Sequence, residues 1–487
     1  ARRPGGRETS MIRVGKARLD IAILAILLAS SAGFAQEGVI VKQYDDGSVY
    51  EGTFRNGRQN GTGTYTLPNG YRYSGDWVAG EIRGKGEAKF PDGSVYVGEF
   101  VGGKPHGTGK ITYPDGATYE GDWLNGRITG KGVANYADGT SYNGDFVDAV
   151  HQGYGVQTDR RGYRYEGFWT GGKKDGRGKI TYPDGTVYDG ELVAGQRSGQ
   201  GTLTMPDGVS YTGAWAEGQI NGTGKLTQAN GDVYQGPLVN GQRVGIGRLS
   251  YGNGDVYEGG FIADKREGKG LFKGPDGYVY DGDWKAGQIE GTGQVTYSDG
   301  AIYSGTFRAD LPDGIGKITY PDGSTYEGAW KGGVYQGRGK ATYANGNVYE
   351  GSFRNTRIQG EGTMTYADGQ RYQGQWMNGT PQGEGTASYS DGSSYSGGFV
   401  AGRRQGKGVL TAADGFVYNG DWYAGRMEGE GVATYPNGDV YEGGFLAGKR
   451  NGQGVVRYAS GQSSAGEWTN NMLTGPAPAA EPVADGN

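Results

Sequence analysis

The chain has 487 residues, among them 103 glycines, 37 tyrosines, 9 tryptophans, 2 histidines and no cysteine, with a formal net charge of −5. This excludes disulfides, thiol nucleophiles, iron–sulfur clusters and thiolate zinc sites, and it leaves His106 and His151 as the whole stock of imidazoles. Glycine near three times its usual share, with only 16 prolines and 12% aromatic residues, disfavours both collagen and disorder and leaves a repeat architecture.

Residues 1–10 read as an over-extended start ahead of Met11. From Met11 the order is basic (Arg13, Lys16, Arg18), then apolar (Ile21 to Ala29), then small, with Gly33 and Ala35 at the −3 and −1 positions. That is the pattern of a secretory signal peptide over 11–35, cleaved between Ala35 and Gln36. The apolar stretch is shorter than the about 20 residues that span a bilayer as a helix. The chain from Gln36 then carries 42 Lys/Arg and 51 Asp/Glu, a net of −9. An acidic exported chain is poorly suited to nucleic acid, so no nucleic-acid partner is expected.

After a short lead-in, 36–43, a repeat array runs over 44–475. A tyrosine recurs every 23 residues from Tyr50 to Tyr441, eighteen times without insertion or deletion. A degenerate nineteenth unit has Ser464 in that place but keeps Gly466 and Trp468. Counting each tyrosine as position 0, glycine fills +2, +11, +13 and +20 in all eighteen units. The third unit shows the pattern: YVGEF (Tyr96–Phe100) and GTGKITY (Gly107–Tyr113) read as strands, VGGKPH as a connecting turn, and PDG as a tight hairpin turn. Alternation along a strand puts positions 0, +2 and +4 on one face with +11, +13, +15 and +17, and the opposite face reads as polar (Glu99, Lys110, Thr112). The glycines at +11 and +13 are expected to leave floor space for the 0 and +4 rings. The expected fold is all-β: an elongated, twisted, single-layer antiparallel meander of hairpins, rising about 9–10 Å per repeat.

Position +4 holds all nine tryptophans, alternating with Phe or Leu, with one phase slip between Leu238 and Phe261. The slip reads as a trace of duplicated 46-residue units, or alternatively as a junction. YVGEFVGGKPHGTGKITYPDG, and likewise YEGAWKGGVYQGRGKATYANG from Tyr326, resemble the MORN (membrane occupation and recognition nexus) repeat, with its Tyr-x-Gly-x-Trp/Phe, Gly-x-Gly and Asp-Gly elements. The resemblance implies a scaffold that binds protein or peptide partners in an apolar groove and self-associates, and lipid binding is attributed to some family members. Repeats of this kind also precede the catalytic domain of certain plant phosphatidylinositol phosphate kinases. Here no kinase signature is present, and GTGK at Gly107–Lys110 lacks the spacing of a phosphate-binding loop.

The expected function is a non-enzymatic exported scaffold, periplasmic or extracellular, without catalytic, cofactor-binding or metal-ligating residues. Asp-Gly turns supply one carboxylate per repeat, too few for a calcium site. The candidate partner-binding face is Tyr96, Phe100, Tyr119, Trp123, Trp169, Trp215, Trp284, Trp330, Trp376 and Trp422, with a protein or peptide as the partner and a homo-oligomer as a further expectation. Positions +5 to +12 hold 27 Lys/Arg and 13 Asp/Glu and read as a basic turn edge. The alternatives are stacking of a cell-wall glycan on the rings, or phospholipid binding through that edge. Residues 476–487, rich in Pro and Ala, read as a disordered tail.

Overall fold

A computed structural model describes residues 38–476. The residues before Gly38, with the signal segment and the Ala35–Gln36 cleavage, lie outside the described residues, as does the tail from 477. The described chain is all-β: forty antiparallel strands in one open sheet, with no helix among the described residues. It falls into two compact units, one ending at Gln242 and one beginning at Arg243. The division lies within the Leu238–Phe261 interval where the tryptophan alternation slips.

In the first unit the strands run from Val39–Gln43 to Val233–Val239, and in the second from Gly245–Ser250 to Met472–Pro476. Within each unit a strand pairs with its chain neighbours, as Val95–Val101 does with Glu81–Lys89 and Lys104–Thr112. The lead-in contributes a strand of its own, since Val39–Gln43 pairs with Val49–Arg55. At the other end Met472–Pro476 pairs with Ser463–Thr469.

The two turns exchange the roles expected of them. The short hairpin is at +6 and +7: Val101 and Lys104 close across Gly102 and Gly103, whose φ angles are +59° and +76°. Two consecutive left-handed residues are the signature of a type I′ turn, whose twist suits the flanking strands. The second strand of the unit therefore begins at +8, not +11. The PDG segment is a longer connection. Gly116 N donates to Tyr113 O (3.0 Å), only the glycine is left-handed (φ +87°), and Asp115 Oδ1 accepts from Ala117 N (2.9 Å). Proline at the second position of a type I turn and a left-handed glycine closing it explain the order Pro-Asp-Gly.

The three strand glycines also divide by role. Glycines at +2 and +13 face each other, as Gly98 and Gly109 do, and a Cβ on either would run into the ring of Tyr96. They are the floor on which the tyrosine lies. Gly107, at +11, is different: it is left-handed (φ +64°), and a Cβ there would meet Glu99 on the opposite face. It sits in a bulge, for the register jumps between Gly98 and Phe100 opposite Gly109 and Pro105. Such a bulge needs a residue in a conformation that glycine adopts without strain. Carboxylates at +3 cap it in several units; Asp76 Oδ2, for example, accepts from Lys85 N at 2.8 Å.

Nor is the opposite face uniformly polar. Position +5 sets Val78, Val101, Leu124, Val147 and Val193 out in the open, next to the type I′ turn.

Candidate functional site

A single-layer sheet has no second layer to bury its rings, yet the tyrosines at position 0 are almost completely buried. They achieve this by lying flat on bare backbone. In all eighteen units the tyrosine hydroxyl donates to the carbonyl oxygen at +3, at 2.7–3.1 Å. Burial raises the pKa of Tyr50 and Tyr326 to about 12, so these hydroxyls remain protonated donors.

Tryptophans at +4 complete the layer. Each donates its Nε1–H to the oxygen of the +13 glycine one unit earlier, as Trp123 does to Gly109 (3.1 Å) and Trp330 to Gly316 (3.0 Å). Each ring but the last also meets a tyrosine edge to face on either side; Trp468, whose own unit has Ser464 at position 0, meets Tyr441 alone. Trp330 lies 4.9 Å from Tyr303 and 5.4 Å from Tyr326. In the second unit this zigzag runs unbroken from Tyr257 to Trp468, with Phe and Trp taking the same seat in turn. In the first it runs from Tyr50 to Trp169, where Leu192 follows. Edge-to-face pairs contribute about 0.5–1.5 kcal/mol each beyond the area they bury.

All ten candidate contact residues belong to this layer. Tyr96, Phe100, Tyr119, Trp123, Trp169, Trp215, Trp284, Trp330, Trp376 and Trp422 are at most 7% exposed. They build the floor of a groove, and its surface is made by what lies on top.

That covering residue is at +9. Because the turn is short, +9 pairs with +4, as Trp330 does with Tyr335, and so it returns to the ring face. Tyr335 stacks flat on Tyr326 (centroids 3.8 Å apart, planes at 7°) with Trp330 at its edge. Arginines do the same: the guanidinium carbons of Arg197, Arg266, Arg404 and Arg450 lie 4.3, 3.9, 4.1 and 4.3 Å from the centroids of Trp215, Trp284, Trp422 and Trp468. Basic residues assigned from sequence to a turn edge thus include a set that roofs the groove. The spacing from turn to ring could have revealed this, had the type I′ turn been placed at +6 and +7. Tyrosines at +17, such as Tyr343, stand half open beside them.

One repeat departs from the rest. Over 142–164, position +15 is Gln157 where the units on either side have Ala134 and Ile180, +17 is Asp159, and +19 is Arg161 in place of the turn aspartate. Asp159 takes over the turn, its Oδ1 accepting from the amides of Arg161 (2.8 Å) and Tyr163 (2.9 Å) and its Oδ2 from Arg161 Nη2 (3.0 Å). Gln157 Oε1 is buried without a hydrogen-bond partner. His151, at +9, stacks on Tyr142 at 3.7 Å, with Nε2 2.8 Å from Tyr136 Oη. Burial, with the charge of Lys174 added, lowers its pKa to about 4. Lys174, the next +9 residue, donates from Nζ to Tyr163 Oη (2.5 Å) and lies over the rings of Tyr163, Tyr165 and Trp169. Burial lowers its pKa to about 8.

The chain matches the family described as MORN repeat in seventeen segments, 50–70, 73–95, 96–118 and 119–141, then from 165–187 through every unit to 441–463. It belongs to the MORN repeat family. The full unit left unmatched is 142–164, the divergent one. No curated protein matches the MORN array. Among solved structures it is similar to the SAS-4 (dCPAP) TCP domain of Drosophila melanogaster in complex with a proline-rich motif of Ana2, at 14% identity over 44% of this chain and 99% of that one, TM-score 0.20. The TCP10 domain of Danio rerio CPAP in complex with a STIL peptide matches at 17% identity over 64% and 97%, TM-score 0.15. A streptogramin B lyase matches at 10% identity over 60% and 90%, TM-score 0.11. At these scores the peptides and the lyase activity are properties of those proteins.

Proposed function

We propose that this MORN array is a non-enzymatic scaffold that seats a protein or peptide partner along the ring face of its sheet. The observation that carries this reading is the tiered ring face: a glycine floor, a buried ring layer and, above it, side chains at +9 and +17 that stand half open in most repeats. The lower tiers are buried and closely packed, and the upper tier offers apolar, aromatic and cationic contacts at fixed intervals, as a recognition surface requires. Among the described residues no cluster of three or more His, Cys, Asp or Glu side chains converges on a metal-binding geometry, and turnover forms no part of the proposal. Export is proposed from the residues at 11–35, and self-association is left to the partner assay.

Burial of the 0 and +4 rings weighs against the glycan alternative, because a sugar stacks on an open ring face. The test is site-specific photocrosslinking in the native host. A benzoylphenylalanine at Tyr343, in the groove, is expected to capture a discrete protein that the same probe at Tyr423, exposed at +5 on the other face, does not. Capture at Tyr423 alone, or at neither position, would overturn the proposal.

A further inference from the structure

Two features of the divergent repeat and its neighbour specify what the groove reads there. The first is uncompensated charge. Lys174 Nζ is held among three rings with one hydroxyl as its hydrogen-bond partner, and no carboxylate among the described residues pairs with it. One repeat on, the Arg197 guanidinium lies over Tyr188 and Trp215, again with no carboxylate partner among the described residues. Asp159 is already engaged by Arg161 and two backbone amides. His151 is held neutral, so it adds no charge to this pair. In the unit before Lys174, the buried Gln157 Oε1 lacks a donor. An anion with an adjacent N–H group satisfies this set, and an acidic residue of a peptide supplies both, the anion from its side chain and the N–H from its backbone.

The second feature is pitch. Lys174 and Arg197 occupy the same position in successive units, two strands apart, so they stand about 9–10 Å apart along the groove. A polyproline II helix has three residues per turn at about 3.1 Å each, which returns a side chain to the same face every 9.3 Å or so. A β-strand, with its period of two, sends residues i and i+3 to opposite faces. The polyproline II conformation also leaves its backbone N–H groups free for an acceptor such as Gln157, and aromatic-lined grooves are suited to it.

We infer that the groove over 142–215 binds a polyproline II peptide bearing acidic side chains at i and i+3, one carboxylate on Lys174 and the other on Arg197. This rests on the proposed peptide-binding function and names the ligand for one stretch of it.

The test uses the full chain and two probes. The first is a fluorescent peptide Pro-Pro-Glu-Pro-Pro-Glu-Pro-Pro beside its Gln-for-Glu isostere, followed by anisotropy. The second is a displayed random dodecapeptide library. Variants are Lys174→Met and Arg197→Ile, residues that the +9 column already accepts at Met427 and Ile220. Circular dichroism and hydrogen exchange check that each variant stays folded. The acidic peptide is expected to bind at least tenfold tighter than its isostere, and each substitution to remove most of that advantage. Equal binding of the two peptides, or an advantage that survives both substitutions, overturns the inference. If the library yields groove binders without paired acidic residues, this inference fails and the peptide-scaffold reading stands. A library that yields no binder removes both.

Discussion

Substituting Gly224 by alanine tests the ring-on-glycine layer directly. A Cβ at Gly224 would sit 2.5 Å from Tyr211 Oη, with two further ring atoms as close. Carbon contacts relax at about 3.5–4.0 Å, so the ring must lift by roughly 1 Å or more. Tyr211 is 1% exposed, its hydroxyl donates to Ala214 O at 3.0 Å, and its ring meets Trp215 edge to face at 5.4 Å. Lifting it forfeits about 1 kcal/mol of hydrogen bond and about 1 kcal/mol of ring contact. Overpacking costs of about 1–3 kcal/mol are of the same order, which sets the expected local loss at about 2–4 kcal/mol. Gly222→Ala is a contrasting case. Its φ is +110° and its added Cβ would meet Ala214 Cβ at 2.8 Å, so the cost there is backbone strain of about 1–3 kcal/mol together with that clash, and neither involves the ring. Combining each with Tyr211→Ala separates the two causes. Removing the ring should restore at least about 1.5 kcal/mol to Gly224→Ala, whereas with Gly222→Ala the effects should add within about 0.5 kcal/mol. In a repeat array, stability is local, so the readout is the hydrogen-exchange opening energy across Ser210–Ala216 and Gln219–Thr227. Additivity at 224 and 211 would refute the account of the ring layer.

Three further outcomes follow from the same geometry. Ala149 is left-handed (φ +64°) at a turn position where most units have glycine, and Ala149→Gly should slow exchange across Val150–Thr158. Relief of about 1–2 kcal/mol of strain exceeds glycine's entropy cost of about 0.5–1 kcal/mol, and faster exchange would contradict this. Trp330→Phe should cost about 1 kcal/mol, for the lost bond to Gly316, while Trp330→Ala should cost about 3–5 kcal/mol by opening the ring layer. Equal losses in denaturant-monitored unfolding would refute the shared Phe/Trp seat. His151 has a folded pKa of about 4 against 6.5 in the unfolded chain, so between those values the unfolded state binds the extra proton. Its repeat is therefore fully stable above about pH 6.5 and loses up to about 3 kcal/mol as the pH falls toward 4. His151→Ile should flatten the exchange profile of Val150–Thr158 across that window, and an unchanged profile would count against a buried neutral imidazole.

Much of this fold is legible in the sequence because the determinants are periodic. A tyrosine every 23 residues and the glycines at +2 and +13 identify strands and floor, and the alternation of Trp with Phe identifies one seat filled by either ring. What escapes is backbone handedness. Gly102–Gly103 and Pro114–Asp115–Gly116 both read as turns, but only the first pair has two left-handed residues, and composition favours the wrong segment because Asp-Gly is itself a strong hairpin signal. One consequence is the misplaced start of the second strand at +11. Another is that Lys174 and Arg197 read as edge residues when they belong to the groove. The bulge at Gly107 escapes for the same reason: period-two alternation assumes extended backbone, and a positive φ turns its Cβ position to the other face. The divergent repeat keeps position 0 and every strand glycine, so a register built on tyrosine and glycine passes over its departures at Gln157, Asp159 and Arg161.

The residue at +9 rests on the ring layer without being part of it, and this separates two kinds of selection. Gln59, Ile128, Pro312, His151, Lys174, Arg197, Tyr335 and Met427 all occupy the position over the same glycine and tyrosine scaffold. A mutation there changes one tile of a surface and leaves the architecture beneath it alone. Eighteen such tiles, one per repeat, behave as an editable text on an invariant page. A lineage can rewrite partner preference letter by letter, or copy whole phrases by duplication, without passing through an unfolded intermediate.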